Sequence, residues 1–472
     1  MTHNHPPDES DRTPSLRAAV KDGMAHSVMI GAGETYLGVY GIFLQATTLQ
    51  VGLLATFPAF LGAIFQAVAV FFMPFFKTRR RPIVVSAVLN GLIWFPIALI
   101  PFAFGVGPQA VWVLIFLVTI YHIAGNFGAP IWSSLIGDLV PAHRRGRYFG
   151  RRNKLIGLST FIAVIAAGQT LEVSKDLAVA GVGFLAIFIV AGLARLLSAH
   201  WLCGYEDPEH VVRREEMFSF YQFIRRLPHS NFARFVLFFA TINFAVAFAG
   251  PYFALYMLRD LKLSYLEFTL LSAAVTVTQF FTMQHWGRIN DRFGSKKILN
   301  ICGIAVALAP VLWLFSAEFW WILCIQIYAG FVWAGFNLAS TNFMFDAVTP
   351  PKRARCAAYQ SLVNAAFVLL GSFLGGWTAE LIPTDIPLGF TTLELSSPLL
   401  VLFFLSGVLR LVAAALLLPR FKEVRPVEQI AHRHLVFQVT NLRPLSGATF
   451  SVISGFFQGR KGREKSLDKE KP

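Results

Sequence analysis

The residues best suited to chemistry in this sequence are polar side chains set inside long apolar segments. Small and polar residues recur there every three or four positions. Side chains at this spacing lie on one face of an α-helix. Polar groups are costly inside a bilayer unless they face a protein-lined cavity, so these stripes predict a polar cavity. The stripe residues are Gly31, Glu34, Gly38, Gly41 and Gln45; His122, Asn126, Ala129 and Ser133; and Gln326, Gly330, Trp333, Asn337 and Thr341.

Glu34 is the strongest candidate for a functional residue among them. Its apolar segment begins near Met24, and a helix rises about 1.5 Å per residue, which puts Glu34 about 15 Å deep, near the bilayer midplane. A carboxylate at that depth must pair with a cation or take up a proton. We therefore predict that Glu34 is a coupling or substrate-binding group. The alternative is a structural glutamate bonded to a neighbouring helix.

Other stripe residues give weaker predictions. His122 could relay protons or simply form part of a cavity wall, and Trp333 offers a stacking surface for a ring-shaped substrate. A fourth stripe contains Asn243, Ala247, Gly250 and Ala254. Small residues can also form a helix-packing seam, so this stripe predicts either a cavity wall or a seam.

The elements that must position these residues are membrane helices. Of the 472 residues, 55% are hydrophobic and only 14% are charged, a composition unlike that of a soluble protein of this length. Twelve apolar segments are long enough to cross a hydrocarbon core of about 30 Å. The predicted organisation is an N-terminal segment (1–23), a six-helix half (24–202), a linker (203–231), a second six-helix half (232–418) and a basic tail (419–472).

The net charge of +15 is explained by topology rather than by nucleic-acid binding. The basic residues cluster in the even-numbered loops, the linker and the tail, whereas the odd-numbered loops hold little beyond Lys175, Arg259 and Lys262. Because basic loops stay in the cytosol, both termini, the linker and the tail are predicted to be cytosolic. The protein is then a multi-pass protein of the plasma (inner) membrane with the lipid bilayer around it.

Two segments at matching places in the halves repeat without a gap. The sequence following Asp138 aligns with that following Asp346, and this alignment pairs Arg147 with Arg355. The last helix of each half repeats as well, which pairs Arg195 with Arg410. These repeats predict an all-α membrane protein of two pseudo-symmetric six-helix halves. Both arginines of the last helices are expected to be structural, reaching the membrane surface or helix-end carbonyls.

One polar stretch, Trp286 to Lys297, separates two apolar segments and is predicted to form a tight loop of twelve residues. Its order resembles the signature loop of the major facilitator superfamily of transporters. The matching residues are Gly287, Asp291, Arg292, Gly294, Lys296 and Lys297. Gly287 would allow two helices to approach closely, and Gly294 would supply a turn. The corresponding loop of the first half keeps basic residues at 79–81 but lacks the aspartate and both glycines.

The resemblance implies twelve helices and gating residues at the cytosolic side. In the family pattern Asp346 pairs with Arg292, and the arginines at 79–81 would substitute as partners of Asp138. The gating set is completed by Arg147 and Arg355. We further expect the Asp291 carboxylate to contact free N–H groups at the start of the fifth helix, near Asn153 and Leu155.

The function predicted from all of this is secondary transport of a small solute, with the two halves rocking around a midplane site and a proton or another ion as coupling partner. No nucleotide-binding motif, metal cluster or nucleophile–base pair is apparent, so neither a cofactor nor enzyme activity is expected. The predicted cavity residues are Glu34, Gln45, His122, Asn126, Asn243, Gln326, Trp333 and Asn337. A non-transporting receptor or sensor on the same fold is the alternative, and a monomer is expected.

Overall fold

The computed structural model describes residues 13–140, 145–177, 179–207, 230–348, 353–383, 385–387, 392–394 and 397–424. Its helices in the first half are α1 (Thr13–Ala32), α2 (Leu37–Phe43), α3 (Thr48–Phe72), α4 (Arg80–Leu92), α5 (Trp94–Phe104), α6 (Pro108–Leu139), α7 (Arg145–Asp176) and α8 (Ala180–Cys203). Those in the second half are α9 (Asn231–Ala247), α10 (Tyr252–Leu255), α11 (Tyr265–Phe293), α12 (Ser295–Val311), α13 (Phe319–Ala347), α14 (Arg353–Leu381) and α15 (Pro398–Leu417). Two short antiparallel strands, β1 (Asp385–Pro387) and β2 (Thr392–Glu394), connect α14 to α15, with Ile386 opposite Leu393.

The predicted all-α membrane fold is confirmed. Eleven helical segments of the described chain are long and apolar enough to cross a membrane. The pair α1 and α2, interrupted by a 3-10 turn at Glu34–Tyr36, supplies a twelfth. We call the side where α8 ends and α9 begins the linker face, and the other side the opposite face. Most of the predicted linker and tail falls outside the described residues.

Several helices are longer than the sequence predicted. Helix α1 begins at Thr13 rather than near residue 24, and α7 begins at Arg145 rather than near residue 155. Helix α11 continues to Phe293, so the predicted twelve-residue loop shrinks to Gly294, which has a φ of 85°. The physical reason is that hydropathy marks the part of a helix inside the bilayer, whereas polar residues continue the helix into water.

Two prolines inside helices leave backbone carbonyls without an intrahelical donor, because proline has no N–H. Pro101 frees the carbonyl of Ile97, which accepts a hydrogen bond of 2.9 Å from the Tyr40 hydroxyl. Pro310 frees the carbonyl of Val306, which accepts one of 3.1 Å from Arg410 Nη1. Arg410 is thus structural as predicted, but it is buried and does not extend to the membrane surface.

The apolar core is divided unequally between the two faces. Toward the opposite face, one continuous cluster contains residues of both halves, among them Tyr36, Phe184, Tyr252 and Phe268. Toward the linker face, each half has a separate cluster, one around Leu135 and the other around Phe238. The halves are therefore packed together at the opposite face, and the space between them opens toward the linker face.

The start of the predicted tail is part of the second half. Phe421 is buried beside the rings of Phe235, Phe238 and Phe343, and the Lys296 amine lies 3.7 Å from the centre of the Phe421 ring. The Glu423 carboxylate accepts a hydrogen bond of 2.8 Å from the Lys296 backbone N–H. Residues 419–424 of the predicted tail therefore pack against the second half.

Candidate functional site

Glu34 lies where the first span is distorted. The Glu34 carboxylate is half-buried and accepts a hydrogen bond of 3.0 Å from the Tyr121 hydroxyl on α6. Counted back from the end of α2 at Phe43, it lies about 14 Å from the opposite face at 1.5 Å per residue. Although α1 starts earlier than predicted, Glu34 therefore remains deep within the span.

The Glu34 carboxylate makes no ion pair with any residue that the structure describes. In the part of the chain that the structure describes, no lysine, arginine or histidine nitrogen lies within 4.0 Å of its carboxylate. His122, on the turn beside Tyr121, interacts with it electrostatically from a greater distance. The structure thus groups Glu34, Tyr121 and His122 where α1 and α6 meet. Tyr121, which also contacts Met29, was not among the predicted residues.

The other predicted cavity residues fall at different places. Asn126 and Asn243 donate side-chain hydrogen bonds to carbonyls one turn earlier in their own helices. Gln326 donates to the Leu271 carbonyl of α11 at 3.3 Å, so it ties two helices together. Trp333 packs edge-on against Phe336. Asn337 is exposed, on the part of α13 that borders the linker-face opening.

Gln45 is not brought to the Glu34 cluster. It is exposed in the turn after α2 at the opposite face, with a φ of 64°. The helical periodicity of the first stripe fails there because α2 already ends at Phe43. A residue with positive φ stands outside the helix, so the spacing of the stripe no longer determines which way it points.

The signature stretch is only partly as predicted. Gly294 makes the expected turn, and Lys296 and Lys297 lie in the first turn of α12. A Cβ at Gly287 would lie 3.9 Å from the nearest side-chain atom, an ordinary contact, so this glycine is not needed for a close helix approach. Asp291 is exposed in the last turns of α11.

The predicted contact between Asp291 and the start of the fifth helix is wrong because the expected N–H donors are not free. Because α7 begins at Arg145, Asn153 and Leu155 lie well inside the helix. Backbone N–H groups there are already used by the helix, since only the first four of a helix are free. No anion-binding terminus exists at that position.

The predicted partner of Asp138 is confirmed. Arg79 Nη1 lies 2.6 Å from Asp138 Oδ2, and Arg79 also bonds Ser134 and Asp207. Arg292 is exposed with its guanidinium 5.0 Å from the Phe293 ring, and its pairing with Asp346 stays a prediction. The side chains of Arg147 and Arg355 lie outside the described residues.

At the opposite face, the halves are joined by two equivalent sets of contacts. In one, the Tyr36 hydroxyl donates to the Val164 carbonyl of α7 at 2.7 Å and is 2.8 Å from the Thr269 hydroxyl of α11. The Glu172 carboxylate of α7 accepts a hydrogen bond from the Leu266 backbone N–H, in the first turn of α11, at 3.3 Å.

The second set repeats this pattern with the halves exchanged. The Tyr252 hydroxyl donates to the Ser372 carbonyl of α14 at 2.6 Å. The Ser372 hydroxyl donates to the Gly52 carbonyl of α3 at 3.0 Å. The Glu380 carboxylate of α14 accepts from the Leu49 N–H, in the first turn of α3, at 3.3 Å. Each set places a carboxylate at the N-terminus of a helix in the other half, where the dipole favours an anion.

These gate residues were missed, although the sequence carries a signal for them. Gly168, Thr170 and Glu172 recur as Gly376, Thr378 and Glu380, with the same spacing that separates Asp138 from Asp346. A Cβ at Gly168 would lie 2.5 Å from the Thr269 hydroxyl, and one at Gly376 would lie 3.1 Å from the Leu49 Cα. Both glycines therefore permit the close contact between the halves.

The comparisons with known proteins agree with this architecture. The family model of the Major Facilitator Superfamily matches residues 24–249 and 233–459. The chain belongs to the Major Facilitator Superfamily. It is accordingly a membrane transporter by family, as the signature stretch predicted. A comparison with curated proteins gives no significant sequence match.

Solved structures of superfamily transporters share the fold at low sequence identity. A variant of the nucleoside transporter NupG superposes with a TM-score of 0.66 at 13% identity, covering 86% of this chain and 100% of that one. A bacterial homolog of the human lysosomal transporter Spinster, inward-facing and occupied, gives 0.64 at 14%, covering 90% and 100%. A D-xylose–proton symporter gives 0.63 at 15%, covering 89% and 99%. At these identities the likeness concerns the fold.

Proposed function

We propose that this superfamily member is a secondary transporter that couples movement of a small solute to protons through Glu34. The observation that carries the proposal is the environment of the Glu34 carboxylate, which has a hydroxyl partner and no cation within 4.0 Å among the described residues. An ionised carboxylate inside a membrane is stabilised by a cation or is neutralised by a proton. With Tyr121 as its partner, Glu34 can exist in both forms.

The contacts between the halves supply the gate of the proposed mechanism. With the Glu172 and Glu380 contacts formed at the opposite face, the space between the halves opens toward the linker face, and in the proposed mechanism Glu34 is reached from that side. Breaking those contacts and closing the linker face would expose Glu34 to the other side. The Arg79–Asp138 pair and the signature stretch are placed to contribute to linker-face closure. We further propose that the linker face is cytosolic, since the basic loops lie there.

The test uses purified protein in proteoliposomes that contain a pH-sensitive dye. A panel of sugars, nucleosides, amino acids and carboxylates is added outside, and proton movement is recorded. We expect at least one compound to drive proton flux in the unmodified protein. Glu34→Gln should abolish that flux and pH-driven accumulation while leaving exchange of the same labelled compound measurable, because the site stays formed.

Glu318→Gln is the matched control, since Glu318 is an exposed carboxylate at the start of α13. It should transport normally. Full proton-driven accumulation in Glu34→Gln would show that Glu34 is structural. Binding of a panel compound without any flux in the unmodified protein would instead favour a receptor.

A further inference from the structure

A cavity whose lining includes four charged or titratable side chains lies inside the first half, separate from the Glu34 cluster. It has a volume of about 240 Å³ and lies between α1, α4, α6, α7 and α8. Ile30 forms its wall one turn before Glu34, and the exposed Ala129 forms the wall next to the space between the halves. Its charged and titratable lining consists of Asp22, His26, Arg152 and Arg195.

The one carboxylate in this lining is already occupied by neutral donors. The Ser198 hydroxyl donates to Asp22 Oδ1 at 2.6 Å, and the Tyr205 hydroxyl donates to Asp22 Oδ2 at 3.0 Å. Arg195 bonds the same hydroxyl of Ser198 from its other side, at 2.7 Å. Asp22 is therefore oriented by hydroxyl groups and makes no direct ion pair with either arginine.

Hydrogen bonds hold both guanidinium groups in place and leave other N–H groups of each guanidinium unused. Arg195 Nε donates to Asn90 Oδ1 at 2.9 Å. Arg152 Nε donates to the Ala19 carbonyl at 3.1 Å, and its guanidinium lies 4.9 Å from the centre of the Trp132 ring. Each guanidinium has five N–H groups, so most of those of Arg152 and several of those of Arg195 remain for a ligand.

Among the described residues, no carboxylate lies within 4.0 Å of Arg152 or Arg195. Both arginines are only 8% exposed. Buried charges are normally paired, because the cost of removing an ion from water is otherwise not offset. Among the described residues, two guanidinium groups line the cavity with one carboxylate, so one positive charge has no counterpart in the lining that the structure describes.

We propose that this cavity binds a compact monoanion, such as a small carboxylate, between Arg152 and Arg195. Guanidinium groups match a carboxylate through two parallel hydrogen bonds, and a single negative charge balances the cavity. The ligand would enter from the space between the halves, past Ala129. The site does not depend on proton coupling at Glu34.

The experiment follows thermal unfolding of the purified protein as sodium acetate, sodium chloride or sodium phosphate is added, with ionic strength held constant by a bulky sulfonate salt. A ligand that binds only the folded state raises the unfolding midpoint in a saturable way. We expect a saturable rise with acetate or chloride. Loss of one guanidinium in Arg152→Gln should raise the apparent Kd for that anion at least tenfold.

Arg151→Gln is the matched control, because Arg151 is the exposed neighbour of Arg152 on the same helix, and it should bind as the unmodified protein does. Ala129→Leu fills the cavity without changing any charge and should also weaken binding, which keeps the test decisive if Arg152→Gln does not fold. Glu34→Gln should bind normally. Tighter binding of acetate than of chloride would identify the ligand as a carboxylate. Tighter binding of chloride would identify a halide site.

Two results would overturn the proposal. One is the absence of a saturable rise with acetate and chloride in the unmodified protein. The other is equal binding by Arg152→Gln and Arg151→Gln. Preferential binding of phosphate at a pH where it carries two charges would contradict the monoanion assignment.

Discussion

At the scale of single residues, Glu34 differs from the other buried acids of the first half in what surrounds it. Asp22 accepts two hydroxyl hydrogen bonds beside two arginines, whereas Glu34 has Tyr121 as its one side-chain donor among the described residues. Hydrogen-bond donors stabilise the ionised form of a carboxylate, and Glu34 has fewer of them than Asp22. This contrast makes Glu34, rather than Asp22, the residue proposed to couple transport to protons.

Tyr121→Phe tests that interpretation without touching the carboxylate. A hydrogen bond to a charged group contributes about 1.5–3 kcal/mol, so its loss should slow proton-driven accumulation by about tenfold or more. Exchange of the same compound should change little. The dye-based flux measurement reports the effect, and Tyr256→Phe is the control, since no side-chain hydrogen bond of Tyr256 is seen in the described chain. Unchanged accumulation in Tyr121→Phe would show that this hydroxyl has no role in the coupling step.

At the scale of helices, the sequence predicted which segments cross the membrane better than where the helices end. The periodicity of small and polar residues predicted that Glu34 and His122 each lie on a cavity-facing stripe, because polar groups in a membrane avoid lipid. It could not predict that α7 starts at Arg145 or that α11 ends at Phe293, since charged residues continue a helix beyond the bilayer. Tyr121 was missed because tyrosine fits an apolar pattern, and its bonding depends on tertiary packing.

The glycines at the opposite face give a matched test on one helix. Gly168→Ala would place a Cβ 2.5 Å from the Thr269 hydroxyl, whereas a Cβ at Gly157 has nothing within 4 Å. We expect Gly168→Ala to separate the halves at the opposite face and Gly157→Ala to leave them packed. Spin labels at Leu177 and Lys262, both exposed at that face, report the separation by pulsed electron resonance. Identical distance distributions in the two variants would contradict the proposed close contact.

Removal of the Glu172 and Glu380 carboxylates should weaken the same closure additively. A carboxylate at a helix N-terminus contributes about 0.3–2 kcal/mol, so Glu172→Gln and Glu380→Gln should each shift the open-to-closed ratio by about twofold to thirtyfold. The double variant should shift it by the product of the two, because distant sites add. The same labels measure the populations, with Glu318→Gln as the control. No shift in the double variant would show that apolar packing alone closes this face.

At the scale of the whole molecule, the proposed orientation makes a direct prediction. Lys262 is exposed at the opposite face, and Thr78 is exposed at the linker face. A cysteine at Lys262 should react with an impermeant thiol reagent in intact cells. A cysteine at Thr78 should react only after the membrane is made permeable. The reverse labelling pattern would show that the topology is inverted. The experiment uses a variant that lacks Cys203 and Cys324, because both native cysteines are exposed and would react with the reagent.

The gate at the opposite face can separate without unravelling either helix that it holds. Thr47 and Gln50 cap the start of α3 on their own, and Ser264 and Glu267 do the same for α11. Glu380 and Glu172 each take one further N–H of those first turns, and water can replace either carboxylate when the halves part. The proposed conformational change would therefore exchange surface partners and leave the secondary structure intact, so the same motion could be repeated over many turnovers.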